Sequence, residues 1–199
     1  MAYPTVAAPY GLKPINLIGG QVFAGSTRLF PIASGYATAI GFGDLVKLAS
    51  GTINKDTGTT TATPVGVFLG CTYTDPTLKY KIFSQQYPAN TVASDIQAYV
   101  CDDPATLFKV AVVSGTTVIA GVARASVLGK NVSLVQNAVN TATGNSQVAV
   151  LSSSAATTNT LPLRVIDVVA ETADTSGNFT EVIVKINAGM HQYDNATGA

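Results

Sequence analysis

The chain has 199 residues, and its 11 basic and 11 acidic side chains leave a formal net charge of zero. Only 11% of the sequence is charged, against roughly 25% in an ordinary soluble domain. The basic residues are scattered singly apart from Lys79 and Lys81, which leaves no basic stripe for a nucleic acid, and apolar runs such as Val110–Val113 are far shorter than the ~18 residues of a membrane span.

Residues 1–34 contain Pro4, Pro9, Pro14 and Pro31. Proline fixes φ and pushes its predecessor toward extended backbone, so this segment reads as an extended N-terminal arm with short strands near Ile15–Ile18 and Arg28–Ala33. The arm is too apolar to be left in water. Tyr3, Val6, Tyr10, Leu12, Ile15, Leu17 and Ile18 are therefore expected to lie on a neighbouring subunit or another surface. The sequence MAYPTVAAPYGLKP has neither a basic nor an apolar leader region, so no signal peptide is expected. The N-glycosylation sequons at Asn131, Asn178 and Asn195 then read as chance matches.

Residues 35–188 read as a β-rich core domain. From Gly43 the hydrophobic period is two: Gly43-Asp44 is a turn into Leu45–Ala49, and Ser50-Gly51 is the next turn. Val65, Val67, Leu69, Cys71 and Tyr73 alternate with Gly66, Phe68, Gly70, Thr72 and Thr74, which predicts one long strand with a single large-residue face. Its glycines would allow a close backbone approach or a bend, and Asp75-Pro76 ends it. Tyr80–Ser84, Ile96–Cys101 and Thr106–Val113 are further strands. Across Val118–Leu128 a helical stripe competes with Gly121 and β-branched residues, leaving helix and strand both open. Asn131–Val135 and Gln147–Leu151 flank a polar turn at Asn137–Asn145, and Ser152–Thr160 is a small-polar loop. Leu163–Ala170 and Phe179–Asn187 close the pattern, joined by a hairpin turn at Asp174–Gly177. Short strands at this spacing predict an all-β fold: an antiparallel β-barrel, β-tulip-like or sandwich module with at most a short helix. Residues 189–199 form a C-terminal tail in which Tyr193 is a further candidate contact, because aromatic anchors commonly carry interface energy.

Reactive constellations are sparse. His191 is the only histidine, and a Ser-His-Asp mechanism would need it, oriented by Asp167 or Asp194. No Gly-x-Ser-x-Gly elbow supplies a nucleophile. Cys71, Cys101 and His191 lack the close ligand spacing of a zinc site. The two cysteines fit two buried free thiols better than a disulfide. Asp102-Asp103-Pro104 reads as an Asx-Pro turn or a helix N-cap rather than an acid–base pair. Gly129-Lys130-Asn131 has the wrong spacing for a phosphate-binding loop, with Asn131 in place of the required hydroxyl. The expectation is a non-enzyme without cofactor or metal.

The runs GLKPINLIGGQVFAGSTRLFPIASGY, ATPVGVFLGCTYTDP, IFSQQYPA, AYVCDDP and GMHQYDNATG resemble virion structural proteins of tailed bacteriophages. Within that group the chain is most similar to small capsid decoration (cement) proteins. The resemblance implies a β-barrel or β-tulip-like module on the exterior of an icosahedral shell, clamping adjacent capsomers of the major capsid protein, assembled in the host cytoplasm and homo-oligomeric, with a trimer preferred. A different virion component, at the neck, tail or fibre attachment, and a carbohydrate-binding surface module are the alternatives; the lack of Trp counts against the latter.

Overall fold

Branching at Cβ restricts χ1 and suits Val, Ile and Thr to pleated strands, and these residues dominate the apolar positions here. The computed structural model describes residues 8–172 and 180–196. Tyr3, Val6 and the expected turn at Asp174–Gly177 lie outside the described residues. The strands, in chain order, begin with β1 (Lys13–Leu17), β2 (Arg28–Pro31), β3 (Leu45–Ala49), β4 (Thr52–Lys55), β5 (Gly66–Thr74), β6 (Lys81–Ser84) and β7 (Gln97–Cys101). They continue with β8 (Thr106–Val113), β9 (Asn131–Val132), β10 (Leu134–Val135), β11 (Ala149–Leu151), β12 (Leu163–Val168) and β13 (Glu181–Ile186). The open question over Val118–Leu128 resolves as one short α-helix, α1 (Arg124–Val127). The fold is all-β, as the periodicity predicts.

One sheet runs β10-β11-β8-β13-β12-β9, with β1 also antiparallel to β8. The segment Asn131–Val135 supplies both edges: β9 pairs with β12, and β10 pairs with β11. A single stretch of chain therefore nearly closes this sheet into a barrel. All its pairs are antiparallel except β11 with β8. Phe108, Val110 and Val112 of β8 point inward to meet Val182, Val184 and Ile186 of β13, all at most 2% exposed. Burying each such side chain stabilises the fold by roughly 1.5–3 kcal/mol.

The second sheet runs β2-β7-β5-β3-β4, with β6 beside β5. The β3–β4 hairpin turns through Ser50 (φ 50°) and Gly51 (φ 78°), two left-handed residues whose twist matches the flanking strands. Strand β5 departs from the expected single large-residue face. Val67 enters the barrel core and Leu69 packs against it, whereas Phe68, Cys71 and Tyr73 enter the core of the second sheet. The cause is a β-bulge between Phe68 and Gly70, with Gly70 at φ 136°. One extra residue exchanges the two faces of a strand.

The N-terminal segment is likewise corrected from residue 9 onward. Gly11 N–H donates to Val148 O (3.2 Å), Leu12 N–H donates to Gly43 O (2.9 Å), and β1 pairs with β8. Residues 9–17, expected within a separate arm, are part of the barrel.

Candidate interaction surface

The residues named from sequence as contacts fall into different environments. Leu12 is 0% exposed in the barrel core and so is corrected from contact to core residue, since no surface of its side chain is left for a partner. Tyr10 is half-buried; its hydroxyl donates to Glu181 Oε1, and Lys109 Nζ stands 3.3 Å from Glu181 Oε2. Lys13 Nζ lies 4.5 Å from the Tyr10 ring centroid, a cation–π geometry. Burial first, then the Glu181 carboxylate, holds the Tyr10 hydroxyl well above its ordinary range. Tyr10 thus fastens the N-terminal segment to its own β8 and β13. Ile15 and Leu17 are half-buried on β1, while Ile18 is 52% exposed beside Arg164, Ile166 and Lys185.

Tyr193 belongs to a clasp. Its hydroxyl donates to Asp102 Oδ2 (2.7 Å), and Arg28 Nε binds the same oxygen (2.8 Å). Burial and the Asp102 carboxylate push the Tyr193 hydroxyl up to about 12. Gln192 donates to Leu48 O (3.1 Å) and accepts Leu48 N–H (2.7 Å), which ties the tail to β3. His191 is 1% exposed; its Nδ1 accepts the Tyr193 N–H (3.2 Å), and Nε2 has no hydrogen-bond partner among the described residues. Burial lowers the His191 pKa, and Asp194, Asp102 and Asp103 pull it the other way. Of the two carboxylates named as possible partners of His191, Asp167 is engaged with Arg124 (2.9 Å), and Asp194 N–H donates to the His191 carbonyl (2.9 Å).

The two cysteines are free and buried in different cores, Cys101 in the barrel and Cys71 in the second sheet. Asp103 Oδ1 accepts the Ala105 N–H (2.8 Å), so of the two expectations for Asp102-Asp103-Pro104 the Asx turn is the one realised. No helix among the described residues is long and apolar enough to cross a membrane.

One exposed apolar surface was not visible in the sequence. Residues directly opposed in an antiparallel pair share a face. Leu29 opposes Tyr99, which opposes Gly70; Pro31 opposes Gln97, which opposes Thr72, which opposes Phe83. These two rows cross β2, β7, β5 and β6 on the face turned away from the second core. The barrel covers the Val67–Cys101 end of that face. The other end is open, with Phe83 73% and Leu29 53% exposed. A depression at the junction is lined by Phe42, Leu69, Tyr99, Phe83, Ser84 and Gln85. Only the cross-strand register brings Leu29, Tyr99 and Phe83 together, because they are far apart in the chain and each sits in an unremarkable short strand.

No known protein family matches the chain, and no curated protein or solved structure matches it either.

Proposed function

We propose that this chain is a structural virion protein of a tailed bacteriophage, a decoration subunit that binds the major capsid protein on the shell exterior and cements adjacent capsomers. One observation carries the reading: the open end of the second sheet gathers Leu29, Pro31, Tyr99 and Phe83 on one face, interrupted only by Gln97 and Thr72, on a molecule with few charges. Clustered exposed apolar side chains rimmed by polar ones are a feature of protein–protein contact sites. Strand β6 pairs only with β5 among the described residues, and its outer edge suits strand addition by an extended capsid segment. The sequence resemblance to decoration proteins supports the same reading. A homo-oligomer, a trimer by preference, fits attachment at a symmetry axis of the lattice.

The test uses shells assembled without the protein, incubated with the wild-type chain or the Phe83→Asp variant, sedimented and imaged by cryo-EM. Wild type is expected at a copy number matching the capsomer lattice, with occupancy unchanged from low to molar salt, because few surface pairs exist for salt to screen. Phe83→Asp should fold yet bind at least about tenfold more weakly, a loss of about 1.4 kcal/mol. Failure of the wild type to bind shells overturns the reading, and a copy number confined to one vertex assigns the chain to the neck or tail instead.

A second reading, a carbohydrate-binding module, is favoured by one observation: Phe83 and Tyr99 line the same depression as Ser84 and Gln85, pairing ring faces with hydrogen-bonding groups. Binding to a glycan array that is lost in Phe83→Asp would select it.

A further inference from the structure

Asp44 precedes β3 and Lys55 ends β4, in a hairpin whose register sets Val46 opposite Lys55. Lys55 Nζ lies 3.0 Å from Asp44 Oδ2, with the two side chains 5% and 0% exposed. Asp44 Oδ2 also accepts the Gly41 N–H (2.8 Å), and Oδ1 accepts the hydroxyl of Ser146 (2.6 Å), which is itself fully buried. The remaining acceptor for Lys55 Nζ among the described residues is the Asn137 carbonyl, at 3.4 Å.

This environment suits an ammonium poorly. An ammonium has three protons to place, and a buried charge is costly unless its hydrogen bonds are made. Here Nζ has one close acceptor and one distant one. At the nitrogen a secondary amide in the same place would ask for less, with the Gly41 N–H that now binds Oδ2 left to turn to the amide oxygen. Its single N–H matches the Asn137 carbonyl, its oxygen matches the Ser146 hydroxyl, and it carries no charge.

We propose that Asp44 and Lys55 are a self-modification site, joined in the folded protein by an isopeptide bond between Asp44 Cγ and Lys55 Nζ. The step balances without an external reactant. One ammonium proton passes along the 3.0 Å contact to Asp44 Oδ2, leaving a neutral amine and a carboxylic acid. The amine lone pair attacks Cγ, and the negative charge that develops on Oδ1 is stabilised by the Ser146 hydroxyl, a preorganised donor in a dry site. A second proton moves from nitrogen to Oδ2, the Cγ–Oδ2 bond breaks and water departs. The third proton stays on the amide nitrogen. Nothing is oxidised or reduced. The chain carries its own reactants, and the fold supplies their proximity.

Intact-mass spectrometry of the purified full chain, denatured before measurement, tests the proposal. The expected mass is below the sequence mass by one water, and proteolysis should yield one branched peptide joining the Asp44 and Lys55 segments. Lys55→Arg should restore the full sequence mass. A wild-type chain that folds and carries its full sequence mass overturns the proposal, as does a water loss that fragmentation places at any other residue. Because the wild-type measurement decides the matter alone, a variant that fails to fold does not obscure it.

Discussion

Gly66 marks the tightest backbone approach in the second sheet. A Cβ there would stand 2.2 Å from the Cys101 carbonyl oxygen, a main-chain atom held in register by the β5–β7 pair. Relief would require the strands to part, so Gly66→Ala is expected to destabilise the fold by about 2 kcal/mol or more, read as a lower denaturant midpoint at unchanged slope. His191 gives a pH dependence of known sign. Its folded pKa lies below the ordinary 6.5 because burial disfavours the imidazolium. Above about pH 6.5 the histidine is neutral in both states and its contribution is complete; as pH falls through 6.5 the unfolded chain takes up the proton first, and stability drops until the folded pKa is passed. Melting temperature followed from about pH 7.5 to 5 should therefore decline in the wild type and much less in His191→Phe. An equal decline in both would assign the effect to the carboxylates.

At the scale of elements, β1 changes what truncation is expected to do. A chain beginning at Gly19 loses the strand paired to β8, the Leu12 side chain in the barrel core and the Tyr10–Glu181 contact. Removing a buried leucine alone typically costs about 2–5 kcal/mol, so the truncated chain should melt well below the full chain or fail to fold, as followed by circular dichroism. An undiminished melt would show the segment to be dispensable. Period-two alternation made most strands legible in the sequence: β3, β8 and β13 run almost as expected. Two things were not legible. Prolines and apolar residues identify an extended segment but not the surface it covers, so Leu12 and Tyr10 read as contacts for a partner when their own barrel holds them. The glycines of β5 announced a close approach or a bend but not which would be which: Gly66 takes the close approach and Gly70 the bulge at which the two faces exchange. The open face of Leu29, Tyr99 and Phe83 depends on that exchange and on non-local register, and so escaped with it.

For the whole molecule, a nearly closed barrel and a six-stranded sheet have no strand in common, yet β5 sends side chains into both cores. The free thiols sit one in each core, so no bond that a reductant breaks connects the halves, and thermal melts with and without reductant should coincide. A shift above about 5 °C would correspond to about 1 kcal/mol or more and would point to a disulfide. The bulge in β5 has a further consequence. Because Val67 lies in one core and Phe68, Cys71 and Tyr73 lie in the other, melting either half removes the inner wall of its neighbour. The molecule should accordingly behave as one thermodynamic unit, with calorimetric and van't Hoff enthalpies in agreement, and no state in which half of it is lost while the other half persists.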